Sequence, residues 1–324
     1  MPKVKKPRKG SLAFYPRKRA KRIYPSLTVY PTAEKAKVLG FAGYKAGMIH
    51  VILVDNKKGS PTFGQEISAS ATVLDCPPLK VLGIRAYELT HNGLRVLNES
   101  WVKELPKDMA RKVKIKPNEK NLSKIENSLN KISDVRLIAS TQPRLSGIGK
   151  KRLEIFEIGI GGKDVKEKMD FGKSLLGKEV SAKDVIREGE LVDAVAVSKG
   201  KGFAGPVKRF GVKIQTRHTK KKKRHIGSLG PEHPSRVRWT VAQAGQLGFQ
   251  RRTELNKRVL KIGEKGEEIT PKGGFIRYGI VKSSYLVLEG SVPGPKNRLV
   301  MIRPAIRSNK VKLLVQEIRE IVKG

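Results

Sequence analysis

The stretch from Lys199 to Lys261 holds 18 Lys and Arg residues against two acids, Glu232 and Glu254, a net charge of +16 over 63 residues. A closed hydrophobic core cannot be built from it, because its apolar residues would drag unpaired cations out of water. What it needs is a polyanion to fold against. It opens on Gly200-Lys201-Gly202-Phe203-Ala204-Gly205 and continues through a basic run from Lys220 to Arg224. The segment from Trp239 to Gln250 is the longest charge-free run of the chain, with Arg236, Arg238, Arg251 and Arg252 on its flanks.

The rest of the chain sharpens that reading. The formal net charge is +40 over 324 residues, far more than solubility requires, and such a surface repels itself and attracts polyanions. Residues 1–33 add +10 with no acid, so two segments totalling 96 residues carry 26 of the 40 charges. An anionic membrane is the weaker partner. No run approaches the roughly 18 apolar residues of a spanning helix, and Gly and Pro break the basic stretches. Prolines 2, 7, 16, 25 and 31 deny the N-terminus the amphipathic helix of a transit peptide. The single cysteine, Cys76, excludes disulfide frameworks and Cys-based zinc sites. The expectation is a soluble, intracellular chain working beside something negative.

Hydrophobic patterning divides the chain further. Residues 1–37 form a basic arm with Tyr15, Tyr24 and Tyr30 among prolines, expected to stay disordered until its charges are neutralised. Short β-type runs follow at Val38–Tyr44 and Met48–Asp55, then a strand pair, Ser70–Cys76 with Val81–Tyr87, around Pro77-Pro78. Residues 38–87 thus begin a small barrel or sandwich. Residues 88–175 mix elements: Leu122, Ile125, Leu129 and Ile132 keep helical spacing, as does Val165–Leu176 with Gly172 as a weak point. Strands at Val135–Ala139 and Leu153–Ile158 complete an inserted α+β module. The β core resumes over 176–198, ending in Leu191–Val197. After the basic excursion of 199–261 it returns over 262–324, with strands at Phe275–Val281, Tyr285–Leu288 and Leu299–Ile302. Leu313, Leu314, Glu317, Ile318, Ile321 and Val322 have the spacing of a C-terminal helix. The fold class is mainly β with an α+β insertion.

Gly200 to Gly205 matches G-x-G-x-x-G after a strand, but its context refuses a dinucleotide. Pro206 and Gly211 interrupt any helix, and Lys220–Arg224 stand where a ribose-binding acid belongs. The glycines fit close approach of backbone to phosphate instead. Gly147-Ile148-Gly149-Lys150-Lys151 lacks the spacing of a phosphate loop. Histidines 50, 91, 218, 225 and 233 show no ligand spacing, and the last three sit among cations. His50 and His91 are read as structural. No catalytic, metal or cofactor site is expected. The candidate RNA-binding residues are Lys3, Lys5, Lys6, Arg8, Lys9, Arg17, Lys18, Arg19, Lys21 and Arg22 in the arm. In the excursion they are Lys199, Lys201, Lys208, Arg209, Arg217, His218, Lys220, Lys221, Lys222, Lys223, Arg224, Arg236, Arg238, Trp239, Gln246, Arg251, Arg252 and Arg258. Trp101 belongs to the charge-balanced module and reads as core. Trp239 reads as an exposed tip, since burying it would carry Arg236 and Arg238 with it.

These residues also carry a resemblance. Asp193-x-x-Ala196-x-Ser198-x-Gly200-Lys201-Gly202-x-x-Gly205-x-x-x-Arg209 resembles the signature of the universal large-subunit ribosomal protein three family. Arg217-His218-Thr219, Gly227-Ser228-Leu229-Gly230, His233-Pro234 and Trp239-Thr240-Val241-Ala242-Gln243-Ala244-Gly245-Gln246-x-Gly248 follow in the family's order. The length and the opening Pro2–Tyr15 arm are similar to archaeal members. The resemblance implies a translation-protein-type β-barrel carrying the basic arm and a long basic central loop. It further implies docking on large-subunit ribosomal RNA near its 3′ domain, a role early in subunit assembly, and Trp239 at a tip directed toward the peptidyl transferase centre. Implied partners are that RNA and neighbouring large-subunit ribosomal proteins, including the fourteenth, with no membrane and no small-molecule substrate; the implied location is the cytoplasmic ribosome.

The expected function is therefore structural. Two other readings compete with it. An RNA-modifying enzyme needs a cofactor loop or a paired acid and base, and the sequence offers neither. A free RNA chaperone predicts that most of the protein is unattached to ribosomes.

Overall fold

The computed structural model describes residues 9–57, 59–115, 120–307 and 317–322. It is mainly β and falls into two compact units, one of residues 1–22 and 197–251, the other of residues 23–196 and 252–324. In chain order the strands are β1 (Phe41–Val54), β2 (Glu66–Asp75), β3 (Leu79–Thr90), β4 (Gly93–Trp101), β5 (Asp134–Ser140), β6 (Ile155–Gly159) and β7 (Glu179–Val180). They continue with β8 (Leu191–Val197), β9 (Gly200–Ala204), β10 (Gly245–Gly248), β11 (Arg251–Gly263), β12 (Tyr285–Glu289), β13 (Leu299–Pro304) and β14 (Ile318–Val322). The α-helices are α1 (Lys120–Asn127), α2 (Val165–Leu175), α3 (Ala182–Val185) and α4 (Pro206–Phe210).

In the larger unit one sheet runs β13-β8-β11-β12-β2-β1-β14, and β13 also pairs with β1. Six strands therefore form a closed circuit, with β14 attached outside it. The circuit turns on β1, a 14-residue strand whose first residues pair with β13 (Phe41 opposite Ile302) while β2 lies along most of its length. The sequence suggested two short runs here. Gly43 and Gly47 do not divide the strand; they lie where Cys76 and Phe275 press against it, leaving no room for a Cβ. The register slips between Lys45 and Gly47, so a bulge bends one long strand where two were expected.

The second sheet of this unit has the order β4-β3-β5-β6, with β7 on β3. The strand pair expected across Pro77-Pro78 is not formed. β2 pairs with β1 and β12, whereas β3 pairs with β4, β5 and β7, so the two prolines carry the chain from one sheet to the other. α2 follows its expected spacing, whereas α1 stops at Asn127, with Leu129 in a separate 3-10 turn and Ile132 in extended backbone. Ile125 of α1 and Met169 of α2 are buried, and α2 runs unbroken through Gly172, whose missing Cβ admits Ile84 and Ile160 of the core. Trp101 is buried with Leu82, Met109, Ile138 and Leu153 in a small second cluster.

Three further expectations need correction. Phe275–Val281 is not a strand but a tight reversal, with Arg277 at φ 65° and Gly279 at φ 91°, pinned by Phe275 N donating to the Gly279 carbonyl. Phe275, Tyr278 and Val281 are buried, Ile276 and Ile280 are exposed, and the buried Tyr278 reaches Asp75. That carboxylate is fully buried, and Tyr278 Oη (2.6 Å) and Ser283 Oγ donate to it. Burial raises its pKa above the ordinary aspartate value, with those two donors pulling the other way.

The C-terminal segment is likewise not helical where it is described, since β14 pairs antiparallel with β1. Its register slips by one residue between Ile52 and Leu53, which face Glu320 and Ile318. That slip turns Ile318 and Ile321, three apart, toward the same core, so a bulged strand imitates helical spacing. Leu313 and Leu314 lie outside the described residues.

The third correction concerns the arm. Residues 23–37 belong to the larger unit, not to a free extension. Leu27 is buried, Tyr30 packs against Gly159 and donates from Oη to the Glu157 carbonyl (3.1 Å), and Gly161 N donates to the Lys37 carbonyl (2.7 Å). These contacts are with the chain's own core, not with a partner.

Candidate nucleic-acid interface

The smaller unit is organised by a two-stranded hairpin, a one-turn helix and a stretch of the arm. β9 and β10 pair antiparallel, Ala204 opposite Gly245 and Phe203 opposite Gln246. Pro206 stands in the first turn of α4, where its missing N–H is harmless, and Gly211 ends it in the left-handed region at φ 66°. This places Phe210 inward, and it is the largest buried side chain of the unit.

The arm closes over that ring. Tyr15 stacks on Phe210 with centroids 6.2 Å apart, the Arg17 guanidinium lies 4.3 Å from the ring centroid, and Gly10 sits against its edge. Two arginines then lock arm to loop by exchanging backbone bonds. Arg17 Nη1 donates to the Arg209 carbonyl (3.0 Å), and Arg209 Nη2 donates to the Arg17 carbonyl (3.4 Å). Arg209 also donates from Nε to the Gln246 carbonyl (3.0 Å) and from Nη1 to the Gln243 carbonyl (2.9 Å). Burial, then the neighbouring Arg17 charge, lowers the Arg209 pKa below its ordinary value. Farther along the arm, Ala20 N donates to the Phe249 carbonyl (2.8 Å), with Arg19 over the Phe249 ring at 5.2 Å.

The expected RNA-binding residues therefore separate into two groups. Arg17 and Arg209 are engaged with the chain's own carbonyls, which phosphate cannot replace without opening the lock. Gln246 Nε2 is turned inward too, onto the Leu247 (3.2 Å) and Gly248 (3.0 Å) carbonyls. Arg258, expected to face a polyanion, is instead buried in the larger unit, its Nε 3.9 Å from Glu289 Oε2. It stands where β11 leaves its exposed half, Arg251 to Asn256, and enters the core through Val259 and Leu260.

The second group points outward. Lys9, Lys18, Arg19, Lys21, Arg22, Lys199, Lys201 and Lys208 are exposed, as are Arg217, His218, Lys220–Arg224, Arg236, Arg238 and Arg251; Arg252 is half-buried. Lys3, Lys5, Lys6 and Arg8 lie outside the described residues. Trp239 is 71% exposed and makes a T-shaped ring contact with Tyr15, with centroids 5.2 Å apart at 74°. Two exposed aromatics carry no signal of their own in the sequence, Phe14 (51% exposed) in the arm and Phe203 in the loop. Phe203, 81% exposed on β9, is the only aromatic of the glycine-rich opening, which is the one sign of it in the sequence.

Over the described residues of this unit, 9–22 and 197–251, the chain carries 20 Lys and Arg against one acid, Glu232. Among the described residues no cluster of three His, Cys, Asp or Glu could hold a metal ion, and no helix is long and apolar enough to cross a membrane. The surface offers cations, bare backbone and three exposed aromatic rings, Phe14, Phe203 and Trp239.

Comparison with known proteins points the same way. The large ribosomal subunit protein uL3 of Methanopyrus kandleri is 51% identical over 312 residues, which cover 94% of this chain and 86% of the relative. That of Archaeoglobus fulgidus is 47% identical over 95% and 94% of the two chains, and that of Methanococcus vannielii 48% identical over 99% and 97%. The family profile described as ribosomal protein L3 matches residues 1–322. The chain belongs to the ribosomal protein L3 family.

Proposed function

We propose that the chain is a structural constituent of the large ribosomal subunit, binding large-subunit ribosomal RNA and performing no catalysis of its own. The observation that carries this reading is the smaller unit, whose described residues set 20 cations against a single acid around a minimal core. Such a surface repels itself and is stabilised where phosphates neutralise it. The closed circuit of six strands supports the translation-protein-type barrel as the anchor, and the arm of residues 9–22 and the loop built on β9, β10 and α4 reach into RNA. In this reading the protein docks near the 3′ domain of the RNA early in assembly, and the tip around Trp239 is directed toward the peptidyl transferase centre. Neighbouring large-subunit proteins, the fourteenth among them, complete its contacts.

The test is the salt dependence of binding to an in vitro transcript of large-subunit ribosomal RNA. Each neutralised phosphate contributes about −0.7 to −0.9 to the slope of log K against log salt. Replacing Lys220, Lys221, Lys222 and Lys223 together by alanine is expected to flatten that slope by roughly 3. A shallow wild-type slope, or one that the quadruple variant leaves unchanged, contradicts the reading.

A further inference from the structure

Phe203 is the most exposed large apolar side chain among the described residues, at 81%. It stands on β9 opposite Gln246, with Lys199 and Lys201 before it and Lys208 after it, all exposed. The backbone around it is bare. Gly202 and Gly205 are exposed, and a Cβ at either would meet nothing within 4 Å. At Gly205 the backbone lies at φ −68° and ψ 168°, which any residue adopts, so neither packing nor conformation inside the chain requires glycine there. The absent side chain leaves open space two positions along the chain from Phe203, room that a molecule outside the chain can use.

The chemistry of the surroundings selects the occupant. A lone ring fringed by lysines is not the contiguous apolar patch of a protein interface, and there is no acid in β9, β10 or α4 to receive a basic partner. A nucleobase offers what fits: a flat apolar face on a chain of phosphates. It must be unpaired, because the faces of bases inside a duplex are already stacked. We propose that Phe203 takes the face of an unpaired nucleobase of the large-subunit RNA, with Lys201 and Lys208 on phosphates to either side. This deepens the reading given above and rests on it. Phe203 supplies a contact that ignores base identity and adds nothing to the salt dependence, while its lysines supply the salt-dependent part.

The test uses the full chain bound to the in vitro large-subunit transcript. Ultraviolet crosslinking at zero length, followed by tryptic mass spectrometry, is expected to find a nucleotide on the peptide holding Phe203. Phe203→Ala is expected to weaken binding roughly five- to a hundredfold at an unchanged salt slope, and Phe203→Tyr to restore it. Lys201→Ala instead reduces the slope by about 0.7–0.9. Because the ring is exposed, the alanine variant keeps the wild-type amide-exchange pattern. If wild-type protein binds with a steep slope while Phe203→Ala binds equally well and no crosslink forms, the inference falls and the RNA-binding reading stands. If Phe203→Ala keeps its RNA affinity but loses another large-subunit protein in reconstitution, the occupant is a protein and the inference falls as well. A wild-type chain without salt-dependent binding removes the reading beneath both.

Discussion

Replacing Asp193 by alanine is expected to destabilise the larger unit by about 3–5 kcal/mol in urea unfolding. Asp193 heads the glycine-rich signature, yet it is fully buried and faces inward, where Arg303 donates to it from Nε and Nη2, both at 3.2 Å. The backbone N–H of Asn256 also donates to it (3.2 Å), and Arg303 Nη1 donates to the Val29 carbonyl (2.7 Å). One carboxylate thus ties β8 to β11 and β13, and through Arg303 holds the entering segment of residues 23–37. Removing it leaves a guanidinium buried without its counter-charge, which is far worse than never having buried the pair. The paired replacement Asp193→Leu with Arg303→Met should therefore recover much of the loss. If Asp193→Ala unfolds within 1 kcal/mol of wild type, the buried pair is not what holds these strands.

Gly248→Ala is the change expected to disable the smaller unit while sparing the larger. Gly248 lies at φ 70°, and a Cβ on it would collide with the Lys199 carbonyl and approach Lys201 N to 3.0 Å. Alanine carries roughly 1–2 kcal/mol of backbone penalty in this region. The collision adds to it, because the obstacle is backbone of the paired strand and not a movable side chain. β9 and β10 must part, breaking the Phe249 N bond to the Lys199 carbonyl (3.0 Å) and moving the carbonyls that hold Arg209. Hydrogen exchange should show lost protection from Gly200 to Ala204 and from Gly245 to Phe249, with no change in the strands of the larger unit. Gly205→Ala, in open space, should lose no protection. Equal behaviour of the two variants would mean that the hairpin is not packed as described.

Much of the larger unit was legible because its strands are apolar runs bounded by Gly and Pro, as in β8, β12 and β13. Closure of the circuit was not, because Phe41 and Ile302 meet from opposite ends of the chain and no local pattern records it. Local pattern misled where the backbone departed from regularity. A bulge gave β14 helical spacing, positive φ at Arg277 and Gly279 folded an apolar run back on itself, and Pro77-Pro78 turned an expected hairpin into a crossing between sheets.

The cations of the candidate interface were plain in the sequence, but their division was not. Arg17 and Arg209 read as phosphate ligands like their neighbours. Only folding brings each to the other's carbonyl across 192 positions of sequence, and the same holds for Arg258 beside Glu289. Trp239 was legible because a charge-free run in so basic a stretch needs an explanation. Phe203 was less so, since its one sign is to be the only aromatic of the glycine-rich opening.

The most direct test of the central claim is sedimentation of cell lysate through sucrose gradients, at moderate and then at high salt, with the protein followed by immunoblot. The account predicts that the protein travels with the large subunit and stays there through the high-salt wash, because arm and loop are threaded into RNA. A protein that sediments free, or is stripped by the wash while the subunit remains intact, contradicts it.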